Sequence, residues 1–79
     1  MRIDKFLKVS RLIKRRAAAK DACDMGRVMI NGKAAKAGSV VKVGDIVEIH
    51  FGNNTITAKV SDLSEPRGKE SAAAMFEIV

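Results

Sequence analysis

In Gly26-Arg27-Val28-Met29-Ile30-Asn31-Gly32-Lys33-Ala34-Ala35 the apolar spacing of the chain changes from a helical period to a period of two. Arg27 to Ile30 reads as a strand. Asn31-Gly32 is a preferred pair for a two-residue type I′ turn, because both central positions need a positive φ. Lys33-Ala34-Ala35 begins the return strand. The stretch before this hairpin reads as helix and the stretch after it, as far as Val60, as further short strands, so the hairpin divides a helical part of the chain from a sheet-forming one.

Working back from Gly26, residues 14–25 are rich in alanine, contain neither Gly nor Pro, and end at a glycine suited to the left-handed position just past a helix. On a helical wheel Ala18, Ala19, Ala22, Cys23 and Met25 share one side, and Arg16, Lys20 and Asp24 another. The alanine side is expected to pack closely on a neighbouring element. Positive charge in the first turn of this helix opposes the macrodipole. Further back, residues 2–10 form a short amphipathic helix: Ile3, Phe6 and Leu7 fall within an arc of roughly 100°, with Arg2, Asp4, Lys5 and Lys8 outside it.

Working forward, Val43-Gly44-Asp45 is a turn. Val47, Ile49 and Phe51 then alternate with Glu48 and His50, and Ile56, Ala58 and Val60 with Thr57 and Lys59, across Gly52-Asn53-Asn54. The expected fold class is α+β, with two N-terminal helices packed on a small antiparallel sheet whose apolar face meets them. Residues 64–69 read as a flexible loop, and residues 70–79 as a short helix running into a final strand. One domain is expected. Residues 1–63 would form its body, and residues 64–79 a loop and short closing element packed on it.

Charge is segregated along the 79 residues. Residues 1–36 carry eleven Lys/Arg against three Asp, a net of +8, and residues 37–79 carry four against six Asp/Glu, a net of −2. Solubility does not require such separation by sign, whereas a polyphosphate partner selects for it through counterion release. With only Phe6, Phe51 and Phe76 as aromatics, the chain lacks the stacking platforms of single-strand binders, which favours structured nucleic acid. A lone cysteine, Cys23, allows no intramolecular disulfide and suits a reducing compartment. No apolar stretch approaches the length of a signal peptide or membrane span, so a soluble, cytoplasmic protein is expected.

Catalytic chemistry has little to work with. His50, the one histidine, alternates with core positions on a strand and reads as solvent-facing. Cys23 sits on the alanine side as a small hydrophobe, the carboxylates are scattered, and no GxxxxGK or GxGxxG occurs. No enzyme activity, metal or cofactor is expected. The remaining signal is the basic set Arg2, Lys5, Lys8, Arg11, Lys14, Arg15, Arg16, Lys20, Arg27 and Lys33, extended by Lys36. Seven of these charges fall within the first sixteen residues, where a bound anion would offset their repulsion. Asp4 is the odd member. Either it compensates the dipole of the first helix, or it orients an arginine such as Arg16.

These residues carry a resemblance. The run Arg2-Ile3-Asp4-Lys5-Phe6-Leu7-Lys8-Val9-Ser10-Arg11-Leu12-Ile13-Lys14-Arg15-Arg16, then Ala19-Lys20, Gly26-Arg27-Val28, Ile30-Asn31-Gly32-Lys33 and Val41-Lys42-Val43-Gly44-Asp45-Ile46-Val47 resembles the RNA-binding domain named after small-subunit ribosomal protein S-four, with its alpha-L motif. The likeness covers about residues 1–51. Free-standing relatives include the ribosome-associated heat-shock proteins, which carry a long basic C-terminal extension, and the shorter RqcP-type quality-control factors. Ending at Val79 without such an extension, this sequence is more similar to the RqcP type. Relatives commonly have a Ser or Thr near the start of the second helix, where this chain has Ala17 to Ala19, which implies a helix without a hydroxyl cap.

The resemblance implies a monomeric adaptor that binds large-subunit rRNA and peptidyl-tRNA on a large ribosomal subunit obstructed after splitting. There it would support an RqcH-like factor that extends the stalled chain with alanine. It places Arg2, Asp4, Lys5, Arg11, Arg15 and Arg16 on the binding surface. From the residues alone, a heat-shock-type recycling factor, a duplex-DNA binder and a protein-interaction module using the acidic half stay open.

Overall fold

The computed structural model describes residues 1–63 and 74–79. Among these the order of elements is α1 (Ile3–Val9), α2 (Arg16–Asp24), β1 (Val28–Ile30), β2 (Lys33–Ala34), β3 (Ile46–Phe51), β4 (Asn54–Val60) and β5 (Phe76–Ile78). The strands form one antiparallel sheet in the order β2-β1-β3-β4-β5. The α+β architecture expected from the period change is therefore the observed one. The final strand is present as β5, paired with β4 through Val60 and Phe76. The expected loop over residues 64–69, and the helix expected to precede that strand, fall mainly outside the described residues. No helix among the described residues is long and apolar enough to cross a membrane.

Each helix ends for a local reason. At the end of α2 the amide of Gly26 donates to the Cys23 carbonyl at 3.0 Å and that of Arg27 to the Ala22 carbonyl at 2.9 Å. This crossed pair needs a left-handed residue, supplied by Gly26 at φ 73°. The start of α2 differs from the expected position: Arg15 is extended (φ −129°, ψ 141°), so the helix begins at Arg16, and Lys14 and Arg15 belong to the linker. No side chain caps it, in keeping with the alanines that follow.

Ile3, Phe6 and Leu7 of α1, Ala19 and Cys23 of α2, and Val28, Val47, Ile49 and Val60 of the sheet share one core with Ala35, Ala37, Val41 and Met75. Three expectations are corrected. Ala18 and Met25, placed on the packing side of α2, are exposed, because that seam is the narrower i, i+4 pair Ala19/Cys23 flanked by Ala22. Phe51, expected to face the core, is 38% exposed. It is the last residue of β3, opposite Asn54 at the hairpin end. Asp4, placed outside the apolar arc, is buried.

The N-terminus is held by the segment after the first hairpin. The amide of Ile3 donates to the Ser39 carbonyl at 2.7 Å and that of Val41 to the Met1 carbonyl at 2.9 Å. The hairpin itself is pinned by Asn31, whose φ of 51° with 81° at Gly32 gives the expected left-handed pair. Its Nδ2 donates to Asp45 Oδ1 (3.2 Å), and its Oδ1 accepts from the Ile46 amide (2.9 Å). Asn31→Ala removes both bonds and puts a less tolerant residue in the left-handed region. It should cost about 1–2 kcal/mol, seen as a fall in melting temperature of about 5–10 °C. An unchanged melting curve would mean that this staple contributes nothing.

Candidate nucleic-acid interface

The site is built where the two helices begin. Asp4, in the first turn of α1, is 3% exposed. One arginine reaches its carboxylate from each helix start. Arg2 Nη2 donates to Oδ2 at 3.2 Å, while Arg16 spans both oxygens, Nε 3.4 Å from Oδ2 and Nη2 3.5 Å from Oδ1. The Lys5 amide adds a bond to Oδ1 at 2.8 Å. Burial alone would raise the Asp4 pKa. The hydrogen bonds from Arg16 and the Lys5 amide, with the positive charges of Arg16 and Arg2, more than offset this and hold the carboxyl below the usual carboxylate range.

The carboxylate is thus buried and saturated, whereas the guanidiniums stay open: the Arg2 and Arg16 side chains are 54% and 49% exposed. Asp4 takes up part of the hydrogen-bonding capacity of each and leaves outward donors for a ligand. Of its two readings in the sequence, the geometry favours orientation of Arg16. The same contact places a negative charge at the start of α2, where the chain itself supplies only cations.

The other basic residues follow from this centre. Lys20 lies one turn beyond Arg16 on α2, on the same face. Lys5 adjoins Asp4. The linker over residues 10–15 joins the C-terminal end of α1 to Arg16, whose side chain reaches Asp4 in the first turn of α1. It carries Arg11, Lys14 and Arg15, all exposed, and the exposed Lys8 belongs to the last turn of α1. The turn at residues 36–39 abuts the same corner: the Asp4 amide points to the Ala37 carbonyl (3.4 Å), and a Cβ on Gly38 would stand 4.0 Å from Arg2 Nη2. Sequence reasoning named Lys36 only in passing and missed Gly38 and Ser39. The signal was the Lys36-x-x-Ser39 spacing, in which Ser39 Oγ accepts from the Lys36 amide at 3.0 Å.

Two basic residues stand apart. Arg27 follows the C-terminal end of α2, a helix of nine residues and so roughly 13 Å long. It lines an open depression of about 240 Å³ with Ile13, Ala22, Met25 and Phe51 rather than the Asp4 cluster. Lys33 lies on the edge strand β2. Of the residues weighed for chemistry, Cys23 is buried, and burial, with the charges of Asp4 and Asp24, pushes its thiol up and away from the reactive thiolate. His50 stands half-exposed between Glu48 and Thr55.

A helix pair with cations gathered at its start, set on a short antiparallel sheet, defines a small RNA-binding module. The S4 domain model matches residues 1–47. Over 79 residues the chain is 53% identical to the RQC P-site tRNA stabilizing factor of Bacillus subtilis, covering all of this chain and 92% of that one. It is 51% identical over 78 residues to the same factor of Halalkalibacterium halodurans, covering 99% and 89%. Its backbone is similar to that of Vibrio cholerae heat shock protein 15, described as trimeric, with a TM-score of 0.91 at 28% identity over the whole chain and 81% of that protein. The chain belongs to the S4-domain family of RQC P-site tRNA stabilizing factors, the RqcP type, an RNA-binding family of ribosome-associated quality control.

Proposed function

We propose that the chain binds large-subunit rRNA and the P-site tRNA of obstructed large subunits carrying peptidyl-tRNA, and so supports alanine tailing of the stalled chain by an RqcH-like partner. It works in the cytoplasm as a monomer. Binding is its whole activity, without catalysis, cofactor or metal. The observation that carries this reading is the pair of half-exposed guanidiniums fixed on one buried carboxylate. A planar fork held in place matches phosphate oxygens bidentately, and folded RNA is recognised mainly through phosphates, 2′-hydroxyls and shape. Arg2, Asp4, Lys5, Lys8, Arg11, Lys14, Arg15, Arg16 and Lys20 are proposed as one contact surface, with Arg27 and Lys33 as outlying contacts. Residues 1–63 would be the binding module and residues 64–79 its closing segment.

Arg16→Ala tests this. Sedimentation with purified large subunits should show clearly weaker association at moderate salt. Stability should fall by about 1–2 kcal/mol, because the half-solvated guanidinium adds little by itself but its loss leaves the buried Asp4 carboxylate with only Arg2 and the Lys5 amide. Normal association of the variant, or steady wild-type binding across a fourfold rise in salt, would count against phosphate recognition. A second reading, a heat-shock-type recycling factor, is supported by the backbone likeness to the Vibrio cholerae protein. Alanine tails that persist in a deletion strain would favour it.

A further inference from the structure

Arg11 breaks a rule that the rest of the backbone keeps. Among the described residues, positive φ is adopted by Gly26, Gly32, Gly44, Gly52, Asn31 and Arg11, the last at φ 64°. Four glycines and an asparagine are the residues that tolerate this region. An arginine there strains its Cβ against the backbone. The two helices make the contrast directly. Each ends in a left-handed residue one step past its cap: α2 uses Gly26 and α1 uses Arg11.

The turn gives Arg11 no freedom to relax. Its amide donates to the Lys8 carbonyl at 3.1 Å, and the Leu7 carbonyl accepts from both the Ile13 amide (3.0 Å) and Ser10 Oγ (3.3 Å). Ser10 on one side is buried, and Ile13 beyond it is anchored in the core. Nothing in the turn needs the guanidinium, which is exposed. A cation can favour a helix C-terminus, but Lys8 already occupies the last turn of α1.

We infer that Arg11 is a dedicated phosphate contact, held on a strained and rigid turn at the opposite end of α1 from the Arg2–Asp4–Arg16 cluster, and that its side chain is kept at the expense of fold stability. This rests on the RNA-binding reading and deepens it. α1 is seven residues long, which sets the two contact points roughly 10 Å apart along its axis. The exposed linker cations Lys14 and Arg15 fall between Arg11 and Arg16 along the chain. A ligand spanning that strip presents several phosphates in register, as a folded RNA backbone does and a single free anion does not.

The test is Arg11→Gly in the full chain, beside Arg11→Asn and Arg16→Ala. Melting is followed by circular dichroism and binding to purified large ribosomal subunits is measured across a salt series. Arg11→Gly should raise the melting temperature by about 3–8 °C. It should also weaken binding about five- to tenfold and make the log-affinity against log-salt slope shallower by about 0.7–0.9. Arg11→Asn, neutral and tolerant of the same backbone, should lose the same affinity without destabilisation. A lower melting temperature for Arg11→Gly would assign Arg11 to the helix terminus and overturn the inference. Unchanged affinity would do so as well. Weakened Arg16→Ala with normal Arg11→Gly removes only the role of Arg11, whereas wild-type protein that fails to bind the subunits removes the RNA reading and this inference together.

Discussion

Phe6→Ala is expected to lower the unfolding free energy by about 3–5 kcal/mol, a large share of what a small domain has. Phe6 is fully buried, and it heads the residues of the described core by size. Its ring is part of the core shared by α1, α2 and the sheet, so truncation leaves a void there. The site depends on this packing, because α1 carries Asp4 and leads in from Arg2. Urea unfolding followed by circular dichroism checks the magnitude. The variant should bind RNA normally at temperatures where it remains folded, since the Phe6 side chain is fully buried. A midpoint close to that of the parent chain would show that α1 does not pack through this ring.

Local chemistry made much of the fold legible. Asn31-Gly32 fixed the first turn through the backbone both residues allow, and Gly26 marked the end of α2 for the same reason. The i, i+3, i+4 set Ile3, Phe6 and Leu7 named the buried stripe of α1. What escaped depended on partners distant in sequence. A helical wheel ranks Asp4 by angle alone and cannot see that Arg16, twelve residues on, makes its burial tolerable. The pairing of residues 39–41 with the N-terminus, which brings Gly38 beside Arg2, has no periodic signature. Phe51 kept the strand alternation, but its strand outran the cover above it. Arg11 escaped for a different reason: no sequence rule places an arginine in the left-handed region, so its φ could be learned only from the structure.

Asp4→Asn is expected to weaken RNA binding about 10- to 100-fold, the equivalent of losing a charge-assisted hydrogen-bond pair worth about 1.5–3 kcal/mol. Net charge argues the other way. Removing a carboxylate from a basic surface raises its potential, and a purely electrostatic account predicts tighter binding. The geometry predicts the reverse, because the two guanidiniums are aligned by one carboxylate, and without its charge they repel each other and regain rotamer freedom. The variant isolates placement from charge, since Asn keeps the size and an acceptor for the Lys5 amide. The folding contribution of the carboxylate has a definite pH window. Its folded pKa lies below the unfolded value, so the stabilisation is complete above the ordinary carboxylate range and is lost as pH falls through the folded pKa. The stability gap between wild type and Asp4→Asn should therefore stay constant from neutral pH down to about pH 5 and close only below about pH 4. Equal or tighter RNA binding by the variant would reduce Asp4 to a dipole-compensating residue and leave Arg2 and Arg16 as independent surface charges.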